Sequence, residues 1–585
     1  MIPPLWHALR RTGAGPLTRH LVRRTKQALW QALPAGTIAH TPPQPPRAGW
    51  SLPAALRDLR TGEVAQREGR WLFALPGLWV PFSALKRWEI GTTTISKHAL
   101  HWFGWLPEGL RAGALGPAEA LGLLRDWVRA HPPGSQPAWA AYGTSLRIAN
   151  WLVTRALLER SPWPAELDAS LSEQAGFLAR NVELDLPGNH LVTNARALIY
   201  AGAYFDGPTA ARWLEQGLSL LARCLREQLL PDGGHFERSP MYHLHVLRDL
   251  TECALLANHL GFTLPPECDE ALSRMASWAR AMQSCSGDWP RFGDSYLDPG
   301  LDAEQALRLA QEHLGQATGR GVSGRAALHD SGFYILGGRD DFLRLVVTFA
   351  AEAPGIPGHT HGDVGSFELS INGRDVLVDA GVWTYEPSPE RQALRSSRAH
   401  NTVVFDSADQ IETWGAFRTG RVAHGRVTEW SEAPGELRLT GRCEGYPGRP
   451  DLWHQRSISL YPERLAVLTD TGPAGAGMAS LLHFAPGLEI IEHGPSQLLL
   501  RGEGFVARLA AGPGNKLSLG AGTCAARLGA PQPCVVATIR SELDDGLIRT
   551  AILAAAADQA LPDMAWSPDG SLLAGEGPPL HPGPS

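Results

Sequence analysis

The segment His359-Thr-His-Gly-Asp-Val-Gly-Ser-Phe-Glu-Leu-Ser-Ile-Asn-Gly-Arg-Asp-Val-Leu-Val-Asp379 decides the fold class of the second half of this chain. Asn372-Gly373 within it is a strong signal for a two-residue type I′ hairpin loop. The residues before the loop alternate between apolar and polar, which is typical of a half-buried strand: Phe367, Leu369 and Ile371. The segment therefore predicts an antiparallel hairpin that carries two imidazoles, His359 and His361, at its open end.

Further strand-like runs extend from this hairpin in both directions. They are short, and turn residues separate them at fairly even intervals, which is typical of an antiparallel sandwich or of stacked sheets. We therefore predict a β domain, with strands at 333–337, 342–349, 366–379, 401–405, 421–430, 437–444, 457–461, 465–469, 481–484, 497–501 and 505–509.

The region from about residue 55 to 320 shows helical periodicity instead. In 211–230, leucines recur at spacings of four and three, which marks one apolar face of a helix. Several similar stripes, punctuated by Gly and Pro, predict a toroid or solenoid of paired helices. The predicted organisation is a multidomain α plus β protein: a basic leader and proline-rich linker at 1–50, a helical domain at 51–325, a β-sandwich at 326–562 and a flexible tail at 563–585.

Composition narrows the function classes. The chain has 585 residues, 44% of them hydrophobic and 19% charged, with a formal net charge of −6, which argues against a general nucleic-acid binder. An anionic ligand would have to be met by local basic groups. Seven cysteines with no CxxC spacing indicate neither a disulfide framework nor a cysteine zinc site.

The first 57 residues contain no Asp or Glu and several arginines. Residues 19–30 are compatible with a basic amphipathic helix that makes peripheral contact with an anionic membrane, or with a packed helix whose basic face is solvated. No secretory signal and no membrane span is recognisable. The default expectation is a cytoplasmic protein, and the alternative is the periplasm or the cell envelope.

Two upstream segments concentrate groups suited to chemistry. In 185–194, Pro-Gly precedes Asn189 and His190, so an amide and an imidazole are predicted at a helix start, where the helix dipole favours a bound carboxylate. An ordinary capping Asn with a surface His is the simpler interpretation. In 231–245, a turn is followed by a dense set of ionisable residues that marks a candidate site: His235, Glu237, Arg238, Tyr242, His243 and His245.

The open end of the predicted hairpin is a candidate metal site. With Asn372-Gly373 as the loop, Ser366 lies opposite Asp379, close to where the imidazoles emerge, and His400 begins another strand. Imidazole and carboxylate together suit zinc. Hydrogen-bonding histidines in a polar rim are the alternative.

The order and spacing of several motifs resemble those of the heparinase II/III-like polysaccharide lyases and their alginate-lyase relatives. The motifs are Trp139 to Trp151, Asn189-His190, Pro240-Met-Tyr242-His243, Gly293-Asp294, His359-Thr-His361-Gly-Asp363, Asp379 and Arg398-Ala-His400-Asn401-Thr. The resemblance implies an incomplete α/α toroid followed by an antiparallel β-sandwich, with the active cleft between them. The reaction it implies is β-elimination at a 4-linked uronic acid in an anionic polysaccharide.

The resemblance also implies a role for each matching residue. Asn189 and His190 would engage the substrate carboxylate. Tyr242 would protonate the leaving oxygen and also act as base for one uronate epimer, and His359 would be the base for the other. A structural zinc ion would be held by His361, Asp379 and His400. Subsite residues that bind anionic or stacked sugars are expected at Trp139, Arg147, His235 and Arg238.

Three functions follow as hypotheses. The first is a polysaccharide lyase, for which a bacterial exopolysaccharide is one expected substrate. The second is a glycoside hydrolase on the same toroid, for which Asp232 and Glu237 would be the paired carboxylates. The third is a non-catalytic glycan-binding protein of polysaccharide assembly.

Overall fold

A computed structural model of the chain describes residues 18, 21, 25, 40–85, 88–284, 286–316, 325–338, 340–350, 358–567 and 571–574. The basic segment predicted to contact a membrane lies outside these residues, apart from Leu21 and Thr25. None of the helices in the described part of the chain is long and apolar enough to cross a membrane.

The first half is helical, as predicted. Helix α8 (Pro208–Gln228) illustrates why, because Pro208 occupies its first turn and its leucine stripe buries Leu221 and Leu225. The helices are α1 (Ala54–Arg57), α2 (Thr94–Leu100), α3 (Trp105–Arg111), α4 (Pro117–Ala130), α5 (Ala141–Leu157), α6 (Ala165–Ala179), α7 (Asn189–Tyr204), α8 (Pro208–Gln228), α9 (Pro240–Leu260), α10 (Cys268–Met282) and α11 (Ala303–His313).

A small three-stranded sheet interrupts the region that was expected to be all helical. Its strands are β1 (Val64–Arg67), β2 (Arg70–Leu75) and β3 (Leu78–Pro81). The loop between β1 and β2 is Glu68-Gly69, and both residues have positive φ, as a type I′ hairpin requires. The prediction missed it because strands this short carry little periodicity.

The second half is an antiparallel β-sandwich. The sheet orders are β12-β13-β14-β15-β22-β19-β18-β17, β20-β21-β16-β9 and β4-β5-β6-β7-β8, and one apolar core joins all three. The elements are β4 (Ala326–Leu328), β5 (Phe333–Leu336), β6 (Leu343–Thr348), β7 (Phe367–Ile371), β8 (Arg374–Leu377), α12 (Pro389–Arg395), β9 (Val403–Phe405), β10 (Ile411–Trp414), β11 (Arg418–Val422), β12 (His424–Ala433), β13 (Glu436–Tyr446), β14 (Arg449–Tyr461), β15 (Leu465–Thr471), β16 (Met478–His483), β17 (Glu489–His493), β18 (Gln497–Gly502), β19 (Phe505–Ala511), β20 (Asn515–Cys524), β21 (Gln532–Ser541), β22 (Leu547–Ala556), β23 (Met564–Trp566) and β24 (Leu572–Ala574).

The predicted hairpin is present, with one change of register. Ile371 pairs with Arg374 across Asn372-Gly373, and both loop residues have positive φ. A bulge then pairs Leu369 with Leu377, so the predicted pairing of Ser366 with Asp379 is wrong. The extra residue in β8 places Asp379 beyond the end of the strand.

Two short parts of the segment predicted to be a flexible tail form strands, Met564–Trp566 and Leu572–Ala574. Strands β23 and β24 pair with each other, and Met564 and Leu572 pack against residues of β15, β19 and β22. Burying these two apolar side chains stabilises the paired strands against the sandwich.

Candidate active site

The two halves of the molecule enclose a cleft of about 520 Å³. Its helical wall includes Tyr242 and its sandwich wall includes His359. The rings of these two residues are packed with their centroids 3.9 Å apart. Side chains separated by more than one hundred positions in the sequence therefore face the same cleft.

The start of helix α9 positions Tyr242. Ser239 caps this helix, and its side chain accepts a hydrogen bond from the backbone N–H of Tyr242. The same Ser239 hydroxyl donates to the backbone carbonyl of Asp294 at 3.0 Å. The cap therefore fastens the tyrosine to the loop that also orients the histidine.

Asp294 orients His359. The carboxylate is fully buried and lies 2.9 Å from His359 Nδ1, and a carboxylate can only accept, so this nitrogen is the donor. In the neutral imidazole, the Nε2 atom then carries the lone pair. Burial acts to raise the pKa of Asp294. The bidentate Arg391 guanidinium, at 2.6 and 2.7 Å, and the hydrogen bonds from His359 and His361 nevertheless hold this pKa well below its usual range.

The glycine before Asp294 allows the backbone at position 293 to lie close to the backbone of His359. Gly293 has φ of +58°, and a Cβ atom there would lie 2.8 Å from the carbonyl oxygen of His359. The backbone N–H of Asp294 donates to that same oxygen at 3.1 Å. Any side chain at position 293 would have to displace the His359 backbone.

Tyr242 is held as a neutral phenol. Burial, with the nearby Asp294 charge, raises its pKa well above the usual value. Its hydroxyl lies 3.3 Å from that of Tyr385, which is contributed by the sandwich. A neutral phenol is a proton donor, so the surroundings favour an acid role over a base role.

Asn189 and His190 open helix α7, as predicted, but only His190 faces the cleft. Its ring stacks on Tyr142 at a centroid distance of 4.1 Å, and its Nδ1 lies 3.3 Å from Glu183. The Asn189 side chain is buried and donates its amide to Glu237 at 2.8 Å. The residue that meets the cleft at this point is Glu237.

Trp139 and Arg147, predicted as subsite residues, lie inside the helical core rather than on the cleft. Arg147 is fully buried, donates to Gln174 at 2.9 Å, and places its guanidinium 4.2 Å from the Trp127 ring centre. Trp139 donates its indole N–H to a backbone carbonyl. The sequence does not show which side chains of this segment the neighbouring helices cover.

His235 and Arg238 also differ from the prediction, because neither lines the cleft. His235 is buried, lies 3.0 Å from Gln228 Oε1, and has its pKa lowered to about 4 by burial. Arg238 donates to the backbone carbonyl of Asp330 at 3.0 Å, which links the two halves. Their contacts are with the protein rather than with the cleft.

The predicted metal ligands are brought together only in part. His400 Nδ1 lies 2.6 Å from Asp379, and the His361 and His400 ring centroids are 5.3 Å apart. His361 Nε2 is hydrogen-bonded to Asp294. The other ring nitrogens, His361 Nδ1 and His400 Nε2, are buried and have no hydrogen-bond partner. Each imidazole is thus hydrogen-bonded to a carboxylate through one nitrogen, an arrangement that suits a metal ligand binding through the other nitrogen.

However, among the described residues no group of three or more His, Cys, Asp or Glu is arranged to hold a metal ion. The zinc ion therefore stays a prediction.

Two family models match this chain. The model described as "Heparinase II/III N-terminus" matches residues 121–311, and "Heparinase II/III-like, C-terminal" matches residues 320–556. Together they cover more than half of the sequence, in the order in which the helical and sandwich domains occur. The chain belongs to the heparinase II/III-like family.

Two proteins of known name are similar to this chain. The "Heparin-sulfate lyase" of Pedobacter heparinus is 26% identical over 379 residues, which is 59% of this chain and 54% of that protein. The "FtsZ-localized protein C" of Caulobacter vibrioides is 24% identical over 405 residues, 68% of this chain and 66% of that protein. The chain thus spans about half the length of the lyase that it matches.

A solved structure confirms the fold. The crystal structure of heparinase III is superimposable with a TM-score of 0.68 at 17% identity, covering 98% of this chain and 96% of that chain. The predicted arrangement of an α/α toroid followed by an antiparallel β-sandwich is therefore confirmed.

Several cleft residues of this heparinase II/III-like chain were not predicted. Tyr385 and Phe417 come from loops of the sandwich, and Glu183 precedes helix α7. Phe417 is 40% exposed, at the turn between β10 and β11. No spacing in the sequence signals them, because only the packing of the two domains brings these loops to the cleft.

Asp232 and Glu237, the carboxylate pair expected of a hydrolase, do not line the cleft together. Asp232 accepts hydrogen bonds from the backbone N–H and the hydroxyl of Ser331 at 2.7 and 2.9 Å, and it does not line the cleft with Glu237. Its role is to hold a turn of the helical domain against the sandwich.

Proposed function

We propose that the protein is a polysaccharide lyase that cleaves a uronic-acid-containing glycan by β-elimination. The observation that carries this proposal is the packed pair of Tyr242 and His359 in the interdomain cleft, with His359 oriented by Asp294. The lyases named among the relatives support the reaction class. A bacterial exopolysaccharide is the polymer that we predict.

The elimination needs one base and one acid. His359 Nε2 takes the C5 proton of the uronate, and the electrons of that C–H bond form the C4=C5 double bond. The C4–O4 bond breaks, and O4 takes a proton from the Tyr242 hydroxyl. The products are an unsaturated uronate and a new chain end, and no water is consumed.

The substrate carboxylate must be partly neutralised for this to occur, because a full negative charge keeps the C5 proton only weakly acidic. His190 faces the cleft at the start of helix α7, and its imidazole can donate a hydrogen bond to the substrate carboxylate. Losing one such stabilising donor typically costs about 10²–10³ in rate.

We also propose a zinc ion at His361, Asp379 and His400. The two partnerless buried imidazole nitrogens support it. Such an ion would stiffen the sandwich wall behind His359. Elemental analysis of the purified protein tests this part: about one zinc per chain is expected, and its absence from active enzyme would refute it.

The function is tested by the ultraviolet absorbance of unsaturated products on a panel of uronate polymers. The wild-type protein should generate this absorbance, and Tyr242→Phe should lower kcat by about 10²–10⁴, because only the acid is removed. Tyr296→Phe is the matched control, since Tyr296 lines the same cleft, and it should keep most activity. New reducing ends without ultraviolet absorbance would indicate hydrolysis and refute the proposal.

A further inference from the structure

The three-stranded sheet β1–β3 is fixed to the helical domain. Phe73 and Val80 are buried in the apolar core of that domain, and the centroids of the Phe73 and Trp105 rings are 5.0 Å apart. The sheet precedes residues 121–311 and 320–556, which the two family models match. Its role therefore has to be inferred from its own contacts.

The turn between β2 and β3 contacts the sandwich. Gly77 in this turn faces Gly529 in the loop between β20 and β21, and a Cβ atom at Gly529 would overlap the Cα atom of Gly77. The same loop carries Arg527, which lies 2.8 Å from Glu63. Because glycine at position 529 lets the two backbones touch, the loop packs directly against the sheet.

The other side of this loop packs beside the cleft. Leu528, which is 8% exposed, belongs to a small apolar cluster against which Tyr242 is packed. The buried members of the cluster are Met241, Tyr296, Val382, Tyr385 and Leu528. The backbone N–H of Gly529 also donates to the carbonyl of Trp383 at 2.9 Å, two residues before Tyr385. The loop therefore contacts both the sheet and the surroundings of Tyr385.

The position of the Tyr242 acid depends on both domains. Its hydroxyl lies 3.3 Å from that of Tyr385, but Tyr385 belongs to the sandwich, whereas Tyr242 lies at the start of helix α9. A displacement of about 1 Å in a catalytic group can cost about 10²-fold in rate. The alignment of the acid therefore requires that the two domains are fixed to each other near this contact.

We propose that the β1–β3 sheet, acting through the loop between β20 and β21, positions the Tyr242 hydroxyl, and that Leu528 is the positioning residue. The inference rests on the proposed lyase function. Leu528 does not line the cleft, so it acts on the reaction through Tyr385 and does not touch the sugar.

Leu528→Ala tests the positioning role, because it removes apolar volume from the cluster that surrounds Tyr385. The kcat for unsaturated product should fall at least about tenfold, while the Kd of a uronate tetrasaccharide should change less than about threefold, since alignment is lost and binding is kept. The Kd is measured in the Tyr242→Phe background. Leu528→Met keeps most of the volume and should restore most of kcat.

Leu220→Ala is the matched control for the loss of a buried leucine. Leu220 is also 8% exposed, but it lies in helix α8 and outside this cluster, so its variant should keep full kcat. A normal kcat in Leu528→Ala, or an equal loss of kcat in both variants, would overturn the inference.

Glycine variants test the part that the sheet plays. Gly529→Ala would push the loop away from Gly77 and should also lower kcat. Gly475→Ala is its control, because the φ angles of the two glycines are +73° and +74°, but a Cβ atom at Gly475 would meet nothing within 4 Å. Equal kcat values in these two variants would show that the sheet does not position the acid.

A spectroscopic measurement separates this inference from the proposed function. In protein labelled with 3-fluorotyrosine, the fluorine NMR signal of Tyr385 is the one that Tyr385→Phe removes. Leu528→Ala should shift this signal, and Leu220→Ala should not. If no uronate polymer gives an unsaturated product, the lyase proposal fails, and this signal still decides whether the loop positions Tyr385. An unshifted signal in Leu528→Ala overturns the inference whatever the catalytic result.

Discussion

Asp294 is the residue on which the candidate site depends. One buried carboxylate contacts His359, His361 and Arg391, which lie on two separate segments of the sandwich. Arg391 keeps the carboxylate charged despite its burial, and a charged acceptor fixes which nitrogen of each imidazole carries the proton. The base is thereby oriented before any substrate binds.

Glu237 allows a sharp test at the level of single residues. Its carboxylate accepts the side-chain amide of Asn189 at 2.8 Å and lies 3.4 Å from the Asn189 backbone nitrogen. For a lyase, Glu237→Gln keeps one acceptor oxygen and should reduce kcat by less than about tenfold. Glu237→Ala should lose more, because the start of helix α7 is released.

Kinetics of unsaturated product formation measure both Glu237 variants. A hydrolase that used Glu237 as its acid or nucleophile would lose nearly all activity in Glu237→Gln. Complete inactivation of this variant, with its thermal stability unchanged, would therefore contradict the account.

Sequence reasoning succeeded for residues whose roles depend on chemistry and failed for those whose roles depend on packing. Tyr242 and His359 were predicted to share a cleft, and they do. Arg147 was expected to bind an anion, yet it is buried over Trp127. A helical segment gives the angular spacing of its side chains, but not which face the neighbouring helices cover.

At the scale of elements, strands β14 and β15 support the site through a buried ion pair. Arg456 contacts Asp470 at 2.7 and 2.9 Å and also donates to the backbone carbonyls of Gly365 and Asn401 at 2.7 and 2.6 Å. These carbonyls lie beside the loops that carry His361 and His400. The pair thus ties the large sheet to the sandwich wall of the cleft.

Asp470→Asn should destabilise the protein by about 3 kcal/mol at pH 7, because it leaves Arg456 buried without its partner charge. The measurement is the free energy of unfolding in urea. Glu489→Gln is the control, since it breaks an exposed pair with Arg501 in strands β17 and β18, and it should cost less than about 1 kcal/mol.

The effect of Asp470 should depend on pH. Burial acts to raise its pKa, but Arg456 and His454 hold it below the usual value. A depressed pKa contributes stability above the unfolded pKa of about 4, and this stability is lost as the pH falls from there toward the folded pKa. The difference between wild type and Asp470→Asn should therefore shrink below about pH 4. A constant difference from pH 7 to pH 3 would refute this.

Elements with strong local signals were predicted best. Asn372-Gly373 identified its hairpin because the type I′ loop requires positive φ at both positions. The bulge in the same hairpin was missed, since no pattern in the sequence marks where β8 gains its extra residue. Strands β1 to β3 were missed because each has only four to six residues.

At the scale of the whole molecule, the site exists only where the helical domain meets the sandwich, and Gly293 lies at that contact. Gly293→Ala should destabilise the protein by about 1–2 kcal/mol, because φ is positive, and should also lower kcat, because the added Cβ displaces the His359 backbone. Thermal unfolding and kinetics measure the two effects.

Gly315→Ala is the matched control for the contact between position 293 and the His359 backbone. Its φ of +63° is close to the +58° of Gly293, but a Cβ there would meet nothing within 4 Å. It should lose similar stability and keep full kcat. Equal kcat values in the two variants would show that the domain contact does not position His359.

The most direct test of the account is a crystal structure of the inactive Tyr242→Phe variant with a uronate tetrasaccharide bound. The account predicts one uronate ring in the interdomain cleft, with its C5 about 3–3.5 Å from His359 Nε2 and its O4 facing the ring at position 242. A tetrasaccharide bound elsewhere, or a uronate that reaches only one of these two side chains, would contradict it.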